Sequence, residues 1–395
     1  MASADRHLVI SSDCHAGLPP ERYRDYVDPQ YRELFDLALP IQAEEVKKAE
    51  KKFLIDEVNA AWRKGRERDL QGAWDHGTRI RVLDADGVAG EVIFPDGITE
   101  ANMPPFGAGL SLPTEGVNAE LQWAGARAHN RWVSELCAEA PERRAGIAIV
   151  PALWDVGEAV KEVAWARERG LRGILIPSMW GALDAYHHPK YEPLWSACED
   201  HGMILHLHSG AAPMADYGEH VGMMGIYITE VVWWAVRPVT FLIWGGVFER
   251  HPKLRLAITE STTVWVPEML ALMDFRYDVT HYSAKLGDYR SHLSMRPSEY
   301  FRRHVFLGAS CMPRREVDMR HQIGLGSIMW GSDFPHPEGT WPATREQMVE
   351  AFRGIPADET AAMLGGNAAG LYGFDVEKLA PLVARIGPPK STFAA

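Results

Sequence analysis

Histidines and carboxylates recur in this 395-residue chain where an apolar run breaks into a loop. His7-Leu8-Val9-Ile10-Ser11-Ser12 runs into Asp13-Cys14-His15, and Met203-Ile204-Leu205-His206-Leu207-His208 stops at Ser209-Gly210. Residues 254–259 end in Glu260, and 327–330 lead through Gly331-Ser332 to Asp333-Phe334-Pro335-His336. In an extended strand alternate residues share a face, so Asp13 points with His15 and His206 with His208, leaving Cys14 and Leu207 opposite. Three imidazoles and three carboxylates meeting at one mouth would repel or go unpaired without a cation. A divalent transition metal satisfies them, which makes Asp13, His15, His208, Glu260 and Asp333 the candidate ligands. A bound metal lowers the pKa of water and polarises a carbonyl, with Asp333 as general base or as the ligand that positions the water. His206 and His336 complete the candidate catalytic set. The competing readings are that Asp13 and Glu260 only orient ligand imidazoles, and that His206 is a core histidine one layer down.

The elements that must position these residues follow an α/β rhythm. Apolar strand candidates at 8–12, 92–94, 146–150, 173–176, 203–208, 254–259, 305–307 and 327–330 alternate with helical patterns, as at 115–140, 156–169 and 191–201. Eight strands joined by crossover helices predict a closed (β/α)8 barrel, whose active site lies at the C-terminal strand ends. The candidates fall at those ends. The whole chain, 1–395, is expected to be one barrel domain, broken after strand one by a helical insertion at about 28–78. Within it a charged helix is expected over 43–71, with Phe53, Ile55, Val58 and Trp62 as a narrow apolar stripe. The apolar stretch 231–248 is interrupted by Arg237-Pro238 and reads as a buried helix rather than a membrane span.

Composition excludes several classes. The net charge is -12 and no Lys/Arg stripe exists to displace counterions, which argues against nucleic-acid and anionic-membrane partners. The four cysteines lack CxxC spacing and read as reduced thiols, and Met1–Arg6 is not followed by an apolar secretion segment, so a cytoplasmic protein is expected.

Asp13-x-His15, His208-Ser209-Gly210, the stretch from His251 to Ser261, and Trp330-Gly331-Ser332-Asp333-Phe334-Pro335-His336 together resemble the metal-dependent amidohydrolase superfamily. The closer likeness is to its amidohydrolase-related branch, which includes aminocarboxymuconate semialdehyde decarboxylase and the resorcylate-type decarboxylases. The resemblance implies a distorted TIM barrel, metal binding by His15, His208 and Asp333, and a homodimer with the Trp-rich helix as its candidate surface. Asp13 replaces the first histidine of the usual His-x-His pair, Glu260 stands where many members carry a histidine, and strand four shows no bridging lysine. The added oxygen donors suit iron or manganese better than a structural-type zinc site.

Three functions are consistent with these residues. The first is hydrolysis or nonoxidative decarboxylation of a small organic acid, ester or amide. The second is a dinuclear non-haem iron monooxygenase acting on an apolar carboxylic acid derivative. The third is a non-catalytic binding barrel.

Overall fold

The computed structural model describes residues 5–97, 102–279 and 285–394. Eight parallel strands follow chain order: β1 (Ile10–His15), β2 (Gly90–Phe94), β3 (Arg144–Ile149), β4 (Gly173–Leu175), β5 (Ile204–His208), β6 (Leu256–Thr259), β7 (Val305–Ser310) and β8 (Ile328–Gly331). β1 and β8 come side by side: the Asp333 N–H donates to the Asp13 carbonyl (2.9 Å) and the His15 N–H to that of Phe334 (2.8 Å). The ring is a nearly closed TIM barrel. Nearly every strand residue is buried, as parallel strands covered on both faces require.

Helices form where capping chemistry permits. Between β1 and β2 lie α1 (Arg32–Phe53), α2 (Asp56–Arg63), α3 (Glu67–Leu70) and α4 (His76–Asp86). The Asp75 carboxylate accepts the Thr78 N–H at the start of α4, and Gly87 ends it at φ 83°. Then follow α5 (Ala119–Ala138), α6 (Val156–Glu168), α7 (Glu192–His201), α8 (Met214–Tyr217) and α9 (Met223–Trp244), with Asn118 and Asp155 capping α5 and α6. Inside the barrel Ile10, Phe94, Ile147, Leu175, Met329 and their neighbours pack down onto Tyr372 and Phe374.

Three expectations need correction. Strand one runs to His15, not Ser12, so Asp13 and His15 are held by the sheet itself, with an irregular register between Ser11 and Cys14. The helix expected at 43–71 starts at Arg32 and breaks at Leu54, which splits the expected stripe between two helices and leaves Ile55 and Val58, beyond the break, about two-thirds exposed. The apolar helix expected at 231–248 begins earlier, at Met223: within the expected range Ala235, Val236, Val239 and Leu242 face the core, while Trp233 and, in the added first turns, Ile226 and Ile228 face solvent.

The residues between β1 and β2 reach across the mouth. Gln42 donates to the Met103 carbonyl (3.1 Å) after β2, Phe53 meets Tyr227 (5.3 Å) after β5, and Trp62 meets Trp341 (6.0 Å) after β8. In an eight-stranded ring these positions lie on different sides, so this segment roofs the barrel's C-terminal end.

Candidate active site

Four strand ends supply the donors. Asp13 and His15 sit on β1, His208 ends β5, Glu260 follows β6 and Asp333 follows β8. All but Glu260 are essentially buried; the Glu260 side chain is 28% exposed. Donor atoms of Asp13, His15, His208 and Glu260 lie within 4.8 Å of one another, as do those of His15, Asp333 and His336, and of Glu260, Asp333 and Glu338.

The ring orientations are fixed from behind. His15 Nδ1 lies 2.8 Å from the Pro95 carbonyl and His208 Nδ1 3.1 Å from the Ser209 carbonyl, so both rings donate there and turn Nε2 inward. His15 Nε2 then lies 3.3 Å from Asp13 Oδ1 and 3.2 Å from Asp333 Oδ1, yet completes a hydrogen bond with neither. Asp333 Oδ1 is equally without one. His208 Nε2 lies 3.3 Å from Asp13 Oδ1, and the Ser310 hydroxyl donates to Asp13 Oδ2. A buried ring nitrogen aimed between two carboxylates fits a divalent cation, which would take the place of its proton and satisfy these orphaned atoms together.

The electrostatics agree. Burial pushes the Asp13 carboxyl up, but His208 and His15 pull it far below the ordinary range. Burial and His336 push the His15 imidazole down, yet Asp13 and Asp333 win and hold it up at about 10. Burial, then the charges of Asp333 and Asp13, push Glu260 well up. Without a metal, protons on His15 and Glu260 relieve the repulsion among the carboxylates. Glu260 and Asp333 also sit at φ 56° and 60°, a conformation non-glycine residues adopt only where the surroundings impose it.

His336 is brought to the centre. Its ring stacks on His15 (3.9 Å, 19°), with Nδ1 3.2 Å from Asp333 Oδ1 and Nε2 3.6 Å from Asp96 Oδ1. His206 is not. It shares its face with His208 but lies one layer deeper, with Nδ1 on the Ile204 carbonyl (3.0 Å), Nε2 on the Tyr372 hydroxyl (2.9 Å) and its pKa lowered to about 3 by burial. The alternation of β5 gave both histidines one direction but not one depth.

Two contributors escaped the sequence reading. Asp96 follows β2 in Pro95-Asp96-Gly97, a strand stop of the same kind as the others. Arg79, on α4, is fully buried: it grips the Glu91 carboxylate, donates Nη1 to the carbonyls of His15 and Gly72 (2.9 Å each) and lies over the Phe334 ring (5.4 Å). It ties together the two backbone segments that carry His15 and Asp333. Nothing in its local sequence marks it.

Comparisons follow the geometry. Residues 13–374 match the amidohydrolase family. No curated protein sequence matches the chain. Among solved structures it is similar to a 5-carboxyvanillate decarboxylase from Sphingomonas paucimobilis (19% identity, TM-score 0.65, 93% of this chain and 99% of that one). It is likewise similar to an amidohydrolase from Mycobacterium avium subsp. paratuberculosis (17%, TM-score 0.70, 93% and 99%). A third is a dihydroxybenzoic acid decarboxylase from a Polaromonas species, with manganese and 2-nitroresorcinol bound (15%, TM-score 0.61, 93% and 97%).

Proposed function

This chain belongs to the amidohydrolase family, and on that premise we propose that it is a metal-dependent enzyme that hydrolyses or nonoxidatively decarboxylates a small organic acid, ester or amide. The observation that carries this reading is His15 Nε2, buried between Asp13 and Asp333 and hydrogen-bonded to neither. Asp13, His15, His208 and Asp333 would hold the metal, with Glu260 at its exposed side. Oxygen donors in this number favour manganese or iron over zinc, and manganese is bound in the Polaromonas decarboxylase. When bound, the metal would acidify water and polarise the scissile group.

The chain's own residues do the rest. Asp333 is the candidate base, and His336, 3.2 Å from its Oδ1, can hold the proton it takes. Asp96 faces the far nitrogen of His336. The roof over the mouth limits water around the reacting atoms.

One observation favours a second reading. His15, Asp333 and His336 form an adjoining donor group, which could hold a second metal and make the site a dinuclear iron monooxygenase. Turnover under nitrogen separates the two: a hydrolase or decarboxylase keeps its activity, whereas a monooxygenase loses it.

The same reading takes residues 1–395 as one barrel domain, with 28–78 as its insertion. It takes the exposed half of α9, centred on Trp233, as the surface of a homodimer. Four free cysteines suit the reducing cytoplasm.

A further inference from the structure

The donors of the site come from β1, β5, β6 and β8, while β7, which lies between β6 and β8, carries no histidine or carboxylate. It ends in Ser310, whose hydroxyl donates to Asp13 Oδ2. Among the described residues Ser310 is the one side-chain partner of the Asp13 carboxylate that is not an imidazole.

Asp13 reaches Ser310 across the end of β8. Ser310 pairs with Gly331 in the β7–β8 register, and β1 lies on the far side of β8. A Cβ added at Gly331 would come within 2.8 Å of Asp13 Cβ and 3.2 Å of its backbone nitrogen, so Asp13 uses the space that a side chain on that strand end would take. The Asp13 main chain is fixed as well, its carbonyl accepting the Ser11 hydroxyl (2.7 Å) and the Asp333 N–H (2.9 Å). With Oδ2 held by Ser310, Oδ1 is the oxygen presented to the site. It lies 3.3 Å from both His15 Nε2 and His208 Nε2.

This matters because Asp13 is a carboxylate. An inward imidazole offers a metal one atom, whereas a carboxylate can bind through one oxygen or through both, and then takes two positions around the ion. A hydroxyl donor on one oxygen settles which. We propose that Ser310 is a positioning residue for the metal, holding Asp13 Oδ2 so that Asp13 binds through Oδ1 alone, and that it thereby favours manganese over calcium. This rests on the metal-dependent reading above and assigns a part to the strand that supplies no donor. Calcium readily takes both oxygens of a carboxylate into a large, flexible shell, whereas manganese suits an octahedral one.

The test is manganese binding by the full chain, measured by calorimetry on wild type, Ser310→Ala and Ser310→Thr. No uptake by wild type would strike the metal-dependent reading itself. Where wild type binds, Ser310→Ala should bind manganese about 10–100-fold more weakly with unchanged circular dichroism. Ser310→Thr keeps the hydroxyl and should return affinity to within about threefold of wild type. With both ions in excess over protein, calcium should displace more manganese from Ser310→Ala than from wild type, a change that general destabilisation would not produce. Wild-type affinity in Ser310→Ala, a loss in Ser310→Thr as large as in Ser310→Ala, or calcium displacing no more manganese from Ser310→Ala than from wild type would overturn the role assigned to Ser310.

Discussion

Asp333 Oδ1 and His15 Nε2 face each other at 3.2 Å across the seam where β8 meets β1, both buried and without a hydrogen bond between them. The backbone holds them there, since the N–H of Asp333 is bonded to the Asp13 carbonyl and that of His15 to the Phe334 carbonyl. Sheet closure and ligand geometry are therefore one structure.

Asp333→Asn keeps the side-chain shape and removes the charge. It should lower turnover by about a thousandfold or more, with unchanged circular dichroism, because base and metal ligand are lost together. Activity within tenfold of wild type would move the base elsewhere.

Metal uptake should release protons. His15 is raised from 6.5 to about 10 in the metal-free protein. Its protonated form therefore stabilises the metal-free fold below pH 6.5, and that contribution fades as pH rises through 10. Metal binding requires the neutral ring, so at pH 8 it should displace a proton and strengthen with rising pH. Calorimetry in buffers of different ionisation enthalpy reads this directly; no proton release would contradict the His15 assignment.

Arg79→Met should destabilise strongly. It removes one base from a fully buried Glu91 shared with Arg144, and unties the His15 carbonyl. The cost should be about 3–5 kcal/mol in denaturant unfolding, with weaker manganese binding in the folded fraction. A loss under 1 kcal/mol would mean the network is dispensable.

His206 and His208 should separate cleanly. Tyr372→Phe leaves His206 Nε2 without its partner and should cost about 1–3 kcal/mol of stability with little change in metal content. His208→Ala should empty the site. Metal loss in Tyr372→Phe would instead give the lower layer a functional share.

Much of this was legible in the sequence. Strand ends carrying Asp13-x-His15, His208, Glu260 and Asp333 could be placed because apolar runs stopping at Gly, Ser and Pro mark a barrel's C-terminal face. Depth was legible only as an alternative, His206 one layer down, because strand alternation gives His206 and His208 one direction without saying how deep each lies. Arg79 was not legible, because its importance comes from where α4 packs and not from any local pattern. The buried helix read at 231–248 is largely buried there, but its start at Met223 was not legible, and the added turns are exposed at Ile226 and Ile228.

The most direct test is manganese retained per chain, measured by elemental analysis after loading and gel filtration of wild type and Asp333→Asn. The account predicts about one ion per wild-type chain and almost none in the variant. Equal retention by both, or none by wild type, would contradict a metal centre built across the β1–β8 seam.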